Sequence, residues 1–110
     1  MSKEQTKKNL QTALSMELTA VHQYQLHAGV LDDWGLDILA SKMREEMQEE
    51  LGHSESFLQR LLFLKENPRL ELAQLPKKAD TLREMFESDL ADEKEAIAFY
   101  TQASMKAGEE

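Results

Sequence analysis

Apolar residues recur three and four positions apart along most of this chain, in three separate stretches. The first stripe is Leu10, Leu14, Val21, Tyr24, Ala28 and Leu31, and the second is Leu39, Met43, Met47, Phe57, Leu61 and Leu64. The third is Leu82, Met85, Phe86, Leu90, Ile97 and Tyr100. Such spacing gathers side chains on one face of an α-helix, and the positions between are rich in Ala, Glu, Lys, Gln and Met, which favour helix. The pattern predicts an all-α chain with helices over about 3–33, 36–66 and 81–107. Ser2 with Gln5 reads as a capping box at the first start, and Thr81 with Glu84 as another at the third. Asp32-Asp33-Trp34-Gly35 marks the first turn. Pro68 halts the second helix, because a proline pushes the residue before it off helical geometry. The stretch from Asn67 to Ala79 holds both prolines, Pro68 and Pro76, and is the linker. Lys106 with Gly108 should close the third helix, so the chain is expected to end where a helix ends. At 110 residues it makes a single domain, 1–110.

The stripes are broken at a few places by polar residues. Glu17 stands between Leu14 and Val21, Glu46, Glu50 and His53 stand between Met43 and Phe57, and Asp89 and Glu93 stand between Phe86 and Ile97. A carboxylate turned into a core is costly unless it is paired or holds a metal. Here three helices each place one at about mid-height. Glu50-Leu51-Gly52-His53 is moreover a Glu-x-x-His, whose two donors share a helix face and can hold one ion jointly. That motif alone is weak, since both residues are common on exposed faces. With an inward Glu17 one helix earlier it resembles half of a bundle-core two-metal site. Oxygen and imidazole donors without thiolate suit iron or manganese, and zinc could also occupy them. The bland alternative is a hydrogen-bonded buried network.

Bulk properties narrow this only modestly. Net charge is −8, from 21 acidic and 13 basic residues, which argues against nucleic acid as a partner. Most of that surplus is read as a solvated face. There is no cysteine, so disulfides, thiolate catalysis and zinc-thiolate sites are excluded, and a cytoplasmic location is expected. No apolar run is long enough to cross a bilayer, and Met1 to Leu10 is no apolar signal region.

At the same residues the chain resembles the bacterioferritins. Met16 to Ala28, containing Glu17 and Gln23-Tyr24, is similar to the family's first helix, and Trp34-Gly35-Leu36 to its first turn. Glu50 to His53 falls on its first Glu-x-x-His. Arg60 to Leu64 with Asn67-Pro68 resembles the end of its second helix, and Ser88 to Glu93 its third-helix ligand segment. The resemblance implies a ferritin-like helical bundle, a centre of two iron ions, and a ferroxidase that oxidises Fe(II) with oxygen or peroxide for iron storage and detoxification. It makes Glu17, Glu50 and His53 catalytic metal ligands and adds Glu93 as a further ligand. Two departures stand out. The family's fourth helix, with its second Glu-x-x-His, has no counterpart here. The methionine with which the family binds haem between subunits is Leu51 in this chain, and Met47, one turn earlier, is the candidate porphyrin ligand in its place. The missing ligand set leads to the expectation of a homodimer. Two copies of helices one and two would complete a four-helix di-iron bundle on a two-fold axis, within a larger homo-oligomeric shell. Glu93 is then released from its family role; the competing arrangement builds the site from Glu17, Glu50, His53 and Glu93 of one chain. Rival readings are a rubrerythrin-like peroxide-reducing protein and a porphyrin-binding electron-transfer or interaction protein without ferroxidase activity. Tyr24 is expected to hydrogen-bond a ligand carboxylate, Glu46 to support the site, His22 and His27 to lie outside it, and Trp34 to pack at the turn.

Overall fold

The computed structural model describes residues 3–109. It contains α1 (Glu4–Asp33), α2 (Asp37–Phe63) and α3 (Leu82–Glu109), with no strand among the described residues. The Ser2 half of the expected first capping box lies outside the described residues. α1 and α2 form an antiparallel hairpin along their length, and a long connection carries the chain back so that α3 also lies against α1. Among the described residues no Cα of α2 comes within 8 Å of one of α3. The result is a rod of 54 × 22 × 20 Å with a cleft opposite α1.

Both helices of the hairpin end in the same backbone device. After α1, Gly35 takes φ 79°, and Gly35 N–H and Leu36 N–H donate to Asp32 O and Leu31 O at 2.9 and 2.8 Å. These bonds satisfy carbonyls that the helix end would otherwise leave open. After α2, Lys65 and Glu66 donate to Leu62 O and Leu61 O at 3.0 Å each, with Lys65 at φ 63°. The stop therefore comes at Phe63, before the expected residue 66, because this left-handed turn acts upstream of Pro68. At the start of α3, Glu84 N–H donates to Thr81 Oγ1 at 3.1 Å and Glu84 Oε2 accepts from Asp80 N–H at 3.0 Å. Gly108 does not stop α3, which continues through Glu109.

The apolar core lies where the end of α1, the start of α2 and the start of α3 converge. Ala28, Val30, Leu31, Ala40, Met43, Ala79 and Met85 are buried there, with Trp34 and Leu82 packed against them. Beyond Met85 the third stripe departs from its expected role. Phe86, Leu90 and Ile97 are 47, 54 and 59% exposed. The reason is geometric: α3 rests on α1 by one edge, and none of the described residues covers its other side.

The connection from Leu64 to Thr81 has no regular structure, yet it is held down as a strap. Gln11 accepts from Arg69 N–H and donates to Arg69 O, at 2.9 and 3.0 Å. Thr19 Oγ1 accepts from Ala73 N–H at 2.8 Å and itself donates to Ser15 O. Gln23 accepts from Lys77 N–H and donates to Lys77 O, both at 2.9 Å. Gln11, Ser15, Thr19 and Gln23 are spaced four apart, so they form one ladder along α1, and the strap meets its backbone needs there rather than in water.

Candidate metal centre

Glu17 occupies an apolar-stripe position in the middle of α1 and is 5% exposed. α2 runs past it in helix without interruption, so Glu50 and His53, three apart, stand on the face that looks back at Glu17. His53 Nδ1 is 3.6 Å from Glu17 Oε2 and 3.5 Å from Glu50 Oε2. One donor atom from each residue lies within 4.8 Å of the other two, the one such group among the described residues. The trio opens into the cleft between the helices, whose walls include Glu46, Asp89 and Glu93. The His53 side chain is 55% exposed, so the centre is walled by protein on one side and open on the other.

Its electrostatics are those of a site short of positive charge. Burial first, then a hydrogen bond with Glu17 and the charges of Glu17, Glu46 and Glu49, push the Glu50 carboxyl up to about 8. With both carboxyls ionised, Glu17 Oε2 is buried with no hydrogen-bond partner. A buried acceptor without a partner carries its full desolvation cost. Either a proton on Glu50 or a cation shared by the two carboxylates removes it. Oxygen and imidazole donors at these separations fit a small divalent ion such as Fe(II).

The other Glu17 oxygen, Oε1, accepts a hydrogen bond from the Tyr100 phenol of α3. Burial, and then this bond, raise the Tyr100 phenol above its usual value. The expectation placed a tyrosine on a ligand carboxylate but chose the wrong one. Tyr24 also lines the cleft, where burial and then Asp89, Glu50, Glu46 and Glu93 raise its phenol, yet the bond to Glu17 comes from Tyr100. Both residues sit in apolar stripes, and only tertiary packing distinguishes them. Glu93 is exposed on the same cleft and stands outside the group of three. Met47 is half-buried on α2, while Leu51 is 38% exposed.

His27 is fully buried, and nothing in its sequence position signalled that. Gln23, oriented by Lys77 N–H on its carbonyl oxygen, has an N–H to spare for His27 Nε2 at 2.9 Å. Nε2 must therefore accept, which leaves the ring proton on Nδ1; Nδ1 and Asp89 Oδ1 lie 3.1 Å apart as an ion-pair contact without hydrogen-bond geometry. This contact ties α1 to α3 one end of the cleft away from Tyr100. Asp89, a polar break in the third stripe, thus serves a histidine rather than the trio. Asp92 beside it is raised by burial and then by the Asp89 charge.

Comparison with known proteins gives a consistent picture. The family model for the ferritin-like domain matches residues 7–110. The chain is 42% identical over 94 residues to the bacterioferritin of Rhodobacter capsulatus, a match covering 86% of this chain and 58% of that protein. It is 38% identical to the bacterial ferritin of Synechocystis sp., covering 86% and 60%. A solved Rhodobacter capsulatus bacterioferritin superposes with a TM-score of 0.94 at 37% identity, covering 99% of this chain and 68% of that one. That structure is described with a metal-free dinuclear site and haem iron in a crystallographic special position. The chain spans about three fifths of the length of these curated relatives.

Proposed function

The chain belongs to the ferritin-like domain family, and from that premise we propose that it binds Fe(II) through Glu17, Glu50 and His53 and oxidises it for storage and detoxification. The observation that carries this reading is the buried, partnerless Glu17 Oε2 facing a carboxyl and an imidazole. Two carboxylates and a neutral imidazole neutralise Fe(II) and favour Fe(III), because hard oxygen donors stabilise the higher charge. Glu17 supplies the fixed anionic donor, Glu50 the donor that gives up a proton on binding, and His53 the exposed neutral donor on the solvent side. Two iron ions per centre are part of the proposal, with Glu93 on the cleft wall as the residue for the second. Electrons pass from two Fe(II) to oxygen or peroxide. A cytoplasmic setting, where a chain without cysteine needs no disulfide, belongs to the same reading.

The test separates it from the rubrerythrin-like alternative. Fe(II) is loaded without oxygen, then oxygen or peroxide is added, and both retained Fe(III) and consumed oxidant are measured. Retained iron in proportion to oxidant supports storage. With an added reductant that returns Fe(III) to Fe(II), peroxide consumed far beyond the loaded iron with no gain of retained iron supports peroxide reduction. Neither response would remove both.

A homodimer sharing the centre, within a larger shell, completes the ligand list from a second copy, and the open side of the cleft supports it. A bundle of α1 and α2 alone from two chains needs the Tyr100–Glu17 bond to open, since α3 occupies the third side. Closure by a partner between α2 and α3 keeps that bond. Mixing wild-type chains with a Glu17/Glu50/His53 triple-alanine variant reads this directly: impaired iron sites in the hybrids support sharing, and full sites on the wild-type chains reject it.

Porphyrin binding through Met47 is a further part of the proposal. Leu51 offers no donor atom, whereas the thioether-bearing Met47 lies one turn away and is half-buried. The group would supply one-electron transfer when bound. Adding haemin to wild-type and Met47→Ala protein should give a low-spin visible spectrum in the first alone.

A further inference from the structure

Tyr100 is where all three helices meet. It belongs to α3, its phenol donates to Glu17 on α1, and its ring lies 6.1 Å from that of Phe57 on α2. Phe99 stands edge-on at 5.7 Å. Since the backbones of α2 and α3 stay apart, this ring pair is a bridge between them on the far side of the centre from the His27–Asp89 tie. The two Glu17 oxygens are thereby made unequal. Oε1 is taken by the phenol, and Oε2 alone is left facing His53 and Glu50 without a partner.

We infer that Tyr100 is a positioning residue of the centre: it fixes the Glu17 carboxylate so that only Oε2 is offered to the metal, and it makes the seating of α3 part of metal binding. The inference rests on the iron-binding reading above and adds to it a residue outside the ligand set. A hydrogen bond to the non-ligating oxygen sets the orientation of the carboxylate and limits it to one donor atom. Without the phenol the carboxylate is free to turn and present both oxygens. The Phe57 ring at its side holds the phenol in place when the centre is empty, so the donor is already oriented before the ion arrives.

The test uses the whole chain and the metal alone. Tyr24→Phe leaves Tyr100 as the one tyrosine, and Zn(II), which has no absorption of its own, is titrated into it. The near-ultraviolet tyrosine band should shift and should saturate together with Zn(II) uptake measured by dialysis. Tyr100→Phe should keep its helicity, bind Co(II) roughly 10- to 100-fold more weakly, and give a visible Co(II) spectrum altered by the changed Glu17 binding mode. A merely structural tyrosine would leave that spectrum unchanged. Wild-type Co(II) affinity and spectrum in Tyr100→Phe overturn the inference, as does a tyrosine band unmoved by saturating Zn(II). If Tyr100→Phe does not fold, the Zn(II) arm decides alone. Glu17→Gln separates the two levels: loss of Co(II) there upholds the metal centre whatever Tyr100 does, and undiminished binding removes centre and inference together.

Discussion

α1 carries buried polar side chains on two of its sides, and the two sides differ in whether those groups are satisfied. Toward the strap, Gln11, Thr19 and Gln23 meet backbone groups of the same chain, Ser15 Oγ accepts from Gln11, and Gln23 uses its oxygen and both N–H groups. Toward the cleft, Glu17 has one oxygen bonded by Tyr100, and the other lacks a partner unless Glu50 beside it keeps its proton, which it holds up to about 8. Both sides place polar groups where an apolar stripe or a solvated face was expected. The first is complete as it stands and reads as architecture. The second lacks positive charge beside its carboxylates, and so reads as a place for an ion.

Changes on the cleft side should therefore remove binding and spare the fold. Glu50→Ala or His53→Ala is expected to lower metal affinity by more than about 100-fold, since even the loss of a ligand's hydrogen-bond partner costs ~10- to 100-fold. Helicity by circular dichroism should be unchanged. Unaltered iron oxidation in both variants would mean the ion sits elsewhere. The strap side should respond in the opposite sense. Gln23→Leu orphans Lys77 N–H, Lys77 O and His27 Nε2, and should destabilise the protein by about 3 kcal/mol in urea unfolding, with metal affinity near wild type. A Gln23→Leu protein of full stability would erase the distinction between the two sides.

The Glu50 carboxyl gives a smaller and graded effect. Its folded value, about 8, lies above the ordinary 4.5. The stability it contributes by holding a proton is thus complete below 4.5 and is lost as pH rises through about 8. Metal-free protein should melt at falling temperature over that window, and bound Zn(II) should flatten the slope. Metal binding displaces the proton, so below about 8 the affinity should drop by about tenfold for each pH unit. A pH-independent affinity from 6 to 8 would show that Glu50 is ionised before the ion arrives. The smallest expected effect is remote from both sides. Lys65 holds φ 63° where α2 ends, and Lys65→Gly should stabilise by about 0.5–1 kcal/mol, read as a raised urea midpoint with no change in metal affinity.

The sequence made the three helices and the Glu17, Glu50 and His53 trio legible because both follow a helical period. Stripe positions identify a face, and a carboxylate in a stripe is visible without knowing its partner. The strap ladder was not legible for the complementary reason. Gln11, Thr19 and Gln23 look like ordinary solvent-facing residues, and their partners are backbone groups in an aperiodic segment. The burial of His27 is not legible because it depends on Gln23 and Asp89 together. The choice between Tyr24 and Tyr100 depends on where α3 settles against α1, and no local pattern records that. The third stripe predicted burial at Phe86, Leu90 and Ile97, but a stripe shows that a face is apolar and not that something covers it.

A connecting loop usually drifts in length among relatives, because lengthening it costs little. This strap has been given a gauge. From Gln11 to Thr19 the helix advances about 12 Å, and from Arg69 to Ala73 an extended chain covers about 13 Å, so the paired groups stay opposite one another. Adding or removing one residue between Arg69 and Ala73 would slip Ala73 off Thr19. Outward residues such as Leu70 and Leu75, 70 and 80% exposed, are free to vary in kind. The count of residues between Arg69 and Ala73 is not, and it should be inherited more strictly than their identities.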